Sequence, residues 1–225
     1  MRVAVIDSGV NVPHPHLDHV IGGVAVDAHG REHGDYVDRL GHGTAVAAAI
    51  HEKAPDAEIF VIKVFDTRLA TSVPALVRAI DHGITSGAHI INLSLGTPNV
   101  LRRAQLEAAV ARTVERGVIL VSAHEHDAAL WLPGSIEGVV GVVLDAGQPR
   151  ERVAVRVSHT GTRVAVASPF ARPIPGIPVE RNLNGVSFAV ANTSGILASV
   201  LVDSPQTRTA EAAVDLLERS GDLGA

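Results

Sequence analysis

Short β-branched segments alternate along this chain with longer segments of helical periodicity. The predicted strands, most of them apolar on both faces, are Val3–Ile6, Ile59–Val64, His89–Leu93, Val118–Val121, Val139–Leu144, Val153–Val157 and Arg163–Ala167. The predicted helices are Thr44–Lys53, Ser72–Thr85, Val100–Arg116, Ser187–Val202 and Thr207–Arg219. Doubly apolar strands that alternate with helices predict an α/β fold, with a mostly parallel central sheet and helices on both faces. In such sheets a functional site lies beyond the carboxyl ends of the strands.

The length of 225 residues fits one domain, and an apolar fraction of 46% supports a sizeable core. The one long irregular segment is proline-rich, Pro169–Pro178, and about 47 residues follow it. That number is too small for an ordinary second domain. We therefore interpret this segment as a surface loop within a single domain, residues 1–225.

Charge and composition exclude several classes of function. The net charge is -5 and Lys and Arg form no dense stripe, so we expect no nucleic-acid partner. No apolar run approaches the roughly 20 residues of a membrane helix, and we expect no membrane partner. The chain has no Cys, which excludes a thiol nucleophile, disulfides and thiolate metal sites. Residues Met1–Ile6 run directly into Asp7-Ser8-Gly9, which is typical of a first strand and not of a signal peptide, so a natural start at Met1 predicts a cytoplasmic protein.

Two polar residues stand out against these apolar elements. Asp7 ends the first strand and precedes Ser8-Gly9, which places a carboxylate at the active edge of the sheet; an aspartate that only caps a turn is the commoner explanation of such a residue alone. His42 opens a helix between Gly41 and Gly43. Glycine weakens a helix unless a close approach requires it, so the two glycines favour a functional histidine over a simple cap.

A third polar residue, Ser187, opens the longest apolar helix. A serine at this position is most often an N-cap. It also suits a nucleophile, because backbone N–H groups at a helix N-terminus can stabilise a developing oxyanion. Each of the three segments is a weak signal by itself, but Asp, His and Ser in this order is the order of the subtilisin triad.

Several motifs of the chain resemble those of the subtilisin-type serine peptidases, the subtilases. They are Asp7-Ser8-Gly9, Gly41-His42-Gly43-Thr44, Gly185-Val186-Ser187-Phe188-Ala189, the strand motif Asn92-Leu93-Ser94-Leu95-Gly96 and the tail Thr209–Gly221 with Asp222-Leu223-Gly224. The resemblance spans nearly the whole chain. It implies a subtilisin-like three-layer sandwich, no cofactor, and a peptide or protein substrate; it leaves the oligomeric state open.

The resemblance also implies roles for individual residues. Ser187 would attack the scissile carbonyl, His42 would take its proton, and Asp7 would orient the imidazole and stabilise its charged form. The substrate would lie as an added strand along Ser94, Leu95 and Gly96. The opposite side of the substrate would contact the segment near Ala70 and Thr71, which the resemblance locates only to within a few residues.

The chain departs from the family where an Asn side chain normally completes the oxyanion hole. After Val118–Val121 the sequence reads Ser-Ala-His-Glu-His-Asp, without Asn. A count from Gly117 without gaps puts His126 at the Asn position, and a slip of one residue puts Glu125 there. A histidine N–H can donate to an oxyanion, whereas a glutamate would repel it, and we favour His126.

The same segment allows a metal hypothesis, since His124 and His126 alternate and could converge on an ion. No second cluster has metal-site spacing, and we interpret His14, His16 and His19 as a polar loop, so we expect no metal. Two smaller departures, Val186 for the usual Thr and Ala191 for the usual Pro, alter packing without removing a proton-transfer group.

Three functional hypotheses follow. The first is a serine endopeptidase with a restricted, peptide-processing role and an activity reduced by the altered oxyanion hole. The alternative is a pseudoprotease that binds an extended peptide without cutting it efficiently. The third, an α/β-hydrolase, ranks last because Gly185–Ala189 lacks the final Gly of the Gly-x-Ser-x-Gly elbow.

Overall fold

The computed structural model describes residues 1–222, so the Leu223-Gly224 part of the predicted tail motif lies outside the described residues. Its strands are β1 (Arg2–Asp7), β2 (Val20–Val26), β3 (Glu32–His33), β4 (Glu58–Lys63), β5 (Ile90–Leu93), β6 (Ile119–Ala123), β7 (Glu125–His126), β8 (Ala129–Leu130), β9 (Val139–Leu144), β10 (Ala154–Val157) and β11 (Arg163–Ala167). Its α-helices are α1 (His42–Lys53), α2 (Val73–Thr85), α3 (Arg103–Glu115), α4 (Val186–Val200) and α5 (Ala210–Asp222).

The predicted mostly parallel sheet is confirmed. Within residues 1–222, nine strands form one sheet in the order β10-β11-β9-β6-β5-β1-β4-β2-β3. Seven of them run parallel, while β10 and β3 pair antiparallel at the two edges. The crossovers from β2 to β4, from β4 to β5 and from β5 to β6 carry α1, α2 and α3. Strands β7 and β8 form a separate two-stranded hairpin.

Helices cover both faces of the sheet, which gives three layers. Val3 and Val5 of β1 belong to the core that contains α1, α4 and α5. Ala4 and Ile6, which point the other way, belong to the core that contains α2 and α3. This alternation explains why the central strands are apolar on both faces, since both faces are buried.

The seven predicted strands all occur, but the sequence analysis missed four short or irregular ones, β2, β3, β7 and β8. Strand β2 carries Gly22 and Gly23, which lower strand propensity. The structure gives a reason for Gly23, because a Cβ there would lie 2.7 Å from the carbonyl oxygen of Val61 and 2.8 Å from the Tyr36 ring. The other three strands have only two residues each, too few for a period to be seen.

The proline-rich segment returns to the point where it leaves the core. The Gly185 N–H donates to the Pro169 carbonyl (2.9 Å) and the Ala171 N–H to that of Leu183 (3.0 Å), so the ends of this loop are tied together. Helix α4 follows directly. The stretch Val186–Asp203 is long and apolar enough to cross a membrane, yet 72% of it is buried inside the fold, as befits a core helix.

Candidate active site

The elements that carry Asp7, His42 and Ser187 meet at one edge of the sheet. Asp7 is the last residue of β1, His42 the first of α1, and Ser187 the second of α4. Gly41 (φ 79°) and Gly185 (φ 144°) precede the two helices in backbone conformations that favour glycine. A Cβ on Gly43 would lie 2.3 Å from the carbonyl oxygen of Gly9, so the start of α1 touches the turn after Asp7.

Asp7 and His42 form a buried hydrogen-bonded pair. Asp7 is fully buried, and its Oδ1 lies 2.7 Å from His42 Nδ1. The same oxygen accepts the Ser8 N–H at 2.7 Å, which fixes the orientation of the carboxylate. With Nδ1 bound to a carboxylate, the His42 ring presents Nε2 as the nitrogen available to accept a proton.

The electrostatics of this pair favour a protonated imidazole. Burial acts to lower the pKa of His42, but the hydrogen bond and charge of Asp7, with a further contribution from Asp38, outweigh it and raise that pKa above its ordinary value of 6.5. The imidazolium that forms when His42 takes a proton is therefore stabilised by the carboxylates around it.

A second buried carboxylate, Asp38, connects the Asp7 turn to α1. Its Oδ1 accepts hydrogen bonds from Ser8 Oγ and from the N–H groups of Leu40 and Gly41, at 2.8–2.9 Å. Its Oδ2 accepts from the N–H and Oγ1 of Thr44 (2.9 and 2.6 Å). Asp38 was not predicted from the sequence as a site residue, and its position four residues before His42 was the only local indication of that role.

Ser187 lies in the same cleft as His42 but bonds to a different partner. Its Oγ donates to the Ser94 carbonyl at 3.1 Å, which closes the gap between α4 and the segment after β5. The ring of the next residue, Phe188, lies 5.6 Å from the His42 ring, centroid to centroid.

A buried chain of polar side chains supports the nucleophile segment from below. Ser194 Oγ of α4 donates to Asn92 Oδ1 (2.9 Å), and Asn92 Nδ2 donates to Ser94 Oγ (2.7 Å). Asn92 and Ser194 are both fully buried. Satisfied polar networks in an apolar core fix one arrangement of the groups they join, here β5 against α4. In the sequence, the signals of this network were Asn92, a polar residue in an apolar strand, and Ser194, a polar residue in an apolar helix.

The structure separates the two residues that competed for the oxyanion position. His126 ends β7 and lines the cleft together with Ser187. Glu125 instead approaches Nδ1 of His159 (3.3 Å) and the guanidinium of Arg156 (4.0 Å). Asp127 lies 3.5 Å from Nε2 of His126 and is 89% exposed, so this carboxylate is the charged neighbour of the ring.

The hypothesis that His124 and His126 converge on a metal ion is wrong in its geometry. His124 is buried, and its Nδ1 lies 3.3 Å from the Gly134 carbonyl, whereas His126 lines the open cleft. Burial lowers the pKa of His124, which keeps that ring neutral. Among residues 1–222 there is no group of three or more His, Cys, Asp or Glu placed to hold a metal.

The cleft itself has a volume of about 660 Å³. Ser94, Leu95 and Gly96 line it on one side and Ala70 and Thr71 on the other, so both predicted substrate-contacting segments border it. Several further lining residues were not singled out from the sequence, among them Phe65, Asn99, Arg102 and Trp131. They lie outside any motif, and only the fold brings them to the cleft.

An Asp–His pair and a serine in one cleft of a parallel α/β fold is the arrangement of a serine hydrolase. Comparison with protein families identifies which one. The Peptidase S8 model, which describes the subtilase family, matches residues 1–143, more than half of the chain and including both Asp7 and His42. The chain belongs to the subtilase family of serine proteases.

Individual relatives agree with this assignment. A thermostable alkaline protease of Halalkalibacterium halodurans is 30% identical over 212 residues, which are 88% of this chain and 56% of the relative. The chain thus spans about half the length of this curated relative.

Solved structures of similar fold include proteases of two kinds. A cold adapted subtilisin-like serine proteinase superposes with a TM-score of 0.72 at 20% identity, and 97% of this chain covers 81% of that one. The prenylagaramide maturation protease PagA superposes with a TM-score of 0.67 at 24% identity, and 96% of this chain covers 81% of it. At these identities the likeness establishes the subtilisin-like fold.

Proposed function

We propose that this chain is a serine endopeptidase in which Asp7, His42 and Ser187 act as the catalytic triad. The observation that carries the proposal is the 2.7 Å hydrogen bond between buried Asp7 and His42, in a cleft that Ser187 also lines. A serine hydroxyl is a weak nucleophile until a positioned base accepts its proton. His42, held by Asp7 with Nε2 free, is that base.

The reaction proceeds in two stages. Ser187 Oγ attacks the scissile carbonyl carbon while His42 accepts the hydroxyl proton, and the carbonyl oxygen becomes an oxyanion. The C–N bond then breaks, and His42 gives the proton to the leaving amine. Water repeats the sequence on the acyl-enzyme and releases the acid product and Ser187. Asp7 holds the imidazole and stabilises it while it carries the extra proton.

The oxyanion needs two donors, which we assign to the Ser187 N–H and the His126 side chain. Ser187 lies in the first turn of α4, where N–H groups have no acceptor inside the helix. His126 lines the cleft near Ser187, and the contacts of Glu125 with His159 keep that carboxylate apart from the reaction. A histidine in place of the usual amide keeps a donor, and we expect activity below that of a subtilase with Asn.

The substrate is an extended peptide that lies between Ser94–Gly96 and the Ala70–Thr71 segment. An added strand provides main-chain hydrogen bonds without sequence preference, and the side chains that line the cleft provide the selection. A restricted processing role is supported by the fold likeness to the prenylagaramide maturation protease PagA. We propose the same broad role here, in which a precursor peptide is cut at few sites.

A second candidate function is peptide binding with little or no cleavage. It is favoured by the Ser187 Oγ hydrogen bond, which goes to the Ser94 carbonyl and leaves the nucleophile turned from its base. In that case a peptide would bind tightly, stay intact, and bind equally well to Ser187→Ala. Endopeptidase activity predicts the opposite, since substrate would be consumed by the unaltered chain alone.

Labelling with a fluorophosphonate tests the first candidate against the second. The reagent needs an activated serine, and mass spectrometry locates the adduct. We expect an adduct on Ser187 that is lost in Ser187→Ala and kept in the matched control Ser199→Ala, an exposed serine of the same helix outside the cleft. A folded protein without any adduct on Ser187 would overturn the endopeptidase proposal and favour the peptide binder.

A further inference from the structure

The chain contains one tryptophan, and its indole lies in the cleft. Trp131 follows the β7–β8 hairpin and is half-buried. Its ring meets the His126 ring edge-on, with 5.3 Å between the ring centroids and a 90° interplanar angle. On its other side the indole packs on the backbone of Gly96, because a Cβ on Gly96 would lie only 2.9 Å from Cε3 of Trp131. The indole therefore fills the space between the substrate-contacting segment and His126.

The backbone around Trp131 holds the indole in this place. The Trp131 N–H donates to the His124 carbonyl, and the Ser135 N–H donates to the Trp131 carbonyl, both at 2.9 Å. Thr97 and Leu132 exchange two further hydrogen bonds of 2.9 Å, which tie the segment after Trp131 to the segment after Gly96. A ring that is held by its own backbone and packs against His126 and Gly96 resists displacement.

The position of Ser187 indicates which substrate residue meets the indole. Its Oγ reaches the Ser94 carbonyl, so the attacked carbon lies at the Ser94 end of the Ser94–Gly96 segment. The oxygen of that carbonyl points toward Ser187 N–H and His126 in the proposed reaction. The side chain on the same residue then extends between Gly96 and His126, which is the space that Trp131 occupies.

We propose that Trp131 restricts cleavage to bonds preceded by a small residue, such as glycine, alanine or serine. This inference rests on the endopeptidase function proposed above for its chemistry, but the restriction is one of binding. The Trp131 indole closes only the part of the cleft next to the scissile bond. Leu69, Val73 and Leu76 line other parts of the same cleft, so large apolar side chains of the substrate are accommodated away from the scissile bond.

Two tetrapeptide p-nitroanilides that differ only in the last residue, alanine or phenylalanine, test the restriction. We expect kcat/KM of the unaltered chain to favour alanine by about 100-fold, and Trp131→Ala to bring the two within about threefold. The ratio of the two substrates cancels any loss of rate that Trp131→Ala causes through His126. Leu69→Ala, which shortens a cleft side chain away from Trp131, is the matched control and should keep the alanine preference. Equal cleavage of both substrates by the unaltered chain overturns the inference while leaving the proposed activity intact.

Binding to Ser187→Ala separates the two proposals, because it needs no catalysis. The p-nitroanilide group quenches indole emission, and Trp131 is the only tryptophan in the sequence. The decrease in fluorescence therefore measures binding of the peptide beside Trp131. Tighter binding of the alanine peptide supports the restriction even if the unaltered chain cuts neither substrate, in which case only the endopeptidase function fails. Equal binding of both peptides, or binding of neither, overturns the restriction, and so does a preference for phenylalanine.

Discussion

The two walls of the cleft differ in how firmly they hold their polar groups. On the wall built by β1 and α1, Asp38 accepts five hydrogen bonds and joins the Asp7 turn to the start of the helix. On the opposite wall, His126 sits in a hairpin of two-residue strands. The turn of that hairpin places Asp127 and Ala128 at φ values of 50° and 60°, a region that non-glycine residues rarely adopt.

The difference coincides with where the chain departs from its family. The wall with the Asp–His pair carries the Asp7-Ser8-Gly9 and Gly41-His42-Gly43-Thr44 motifs, and its Asp7 is fully buried and hydrogen-bonded to His42. On the hairpin wall lie His126, which we propose as the oxyanion donor, and Trp131 beside it. A tightly bonded network tolerates few substitutions, while a short exposed hairpin can change residues without unfolding the core. We infer that selectivity and rate are set on the hairpin wall and proton transfer on the other.

The largest effect should come from Asp7→Asn. The amide keeps the shape of the side chain but presents an N–H group or a neutral oxygen to His42 Nδ1, so the ring is held in the wrong tautomer or without its counter-charge. We expect kcat to fall by about 10⁴-fold with a p-nitroanilide substrate. Thermal unfolding measured beside the assay checks that the variant is folded, and a loss of less than tenfold would argue against the triad.

Changes at His126 should have the next largest effect. If its side chain donates to the oxyanion, His126→Ala lowers kcat by about 10²–10³-fold with little change in KM, because the interaction is made only in the transition state. His126→Asn supplies an amide donor at the same place and should recover most of the rate. Glu125→Gln is the matched control on the adjacent residue and should lower kcat by less than about threefold.

A comparable rise in KM with kcat unchanged for His126→Ala would show that the ring binds substrate and does not stabilise the oxyanion. Failure of His126→Asn to recover activity would carry the same meaning if the variant is folded. Either result would separate the hairpin wall from the chemistry and leave it a role in selection alone.

Asp38→Asn should destabilise the wall with the Asp–His pair. Both carboxylate oxygens accept from fixed donors, and an amide has only one acceptor oxygen, so its NH₂ group must face an N–H of Thr44 or of Leu40 and Gly41. We expect a loss of about 2–4 kcal/mol in the free energy of unfolding, measured by urea denaturation. Asp35→Asn, at an exposed carboxylate nearby, is the control. A loss no larger than that of the control would mean that the network does not stabilise the fold.

The wall with the Asp–His pair could be predicted from the sequence better than the hairpin wall, for physical reasons. Doubly apolar strands are a local signal of burial, and the structure has it; of the two glycines beside His42, Gly43 makes the expected close approach, whereas Gly41 is required by its left-handed backbone. Asp38 also accepts a hydrogen bond from Ser8, and Asn92 accepts one from Ser194, and the partners in these two contacts are far enough apart in the chain that only the fold brings them together. The position of Trp131 depends on a hairpin too short for a period and on its packing against Gly96, so only the folded structure brings it to the cleft.

The smallest effect concerns pH, and it also distinguishes the walls. His42 must be neutral to accept a proton, so kcat/KM of the unaltered chain should rise with a pKa above 6.5, the direction that Asp7 and Asp38 impose against burial. Removing the charge of Asp38 should shift this rise in kcat/KM to lower pH, and the shift by itself should not change the maximum of kcat/KM at high pH. For stability the sign is reversed, since charged His42 favours the folded state: its contribution is complete below the unfolded pKa and is lost as pH rises through the folded one. A limb of kcat/KM below 6.5 would show that the Asp7 and Asp38 carboxylates do not set the pKa that limits activity, and the division of labour between the two walls would be wrong.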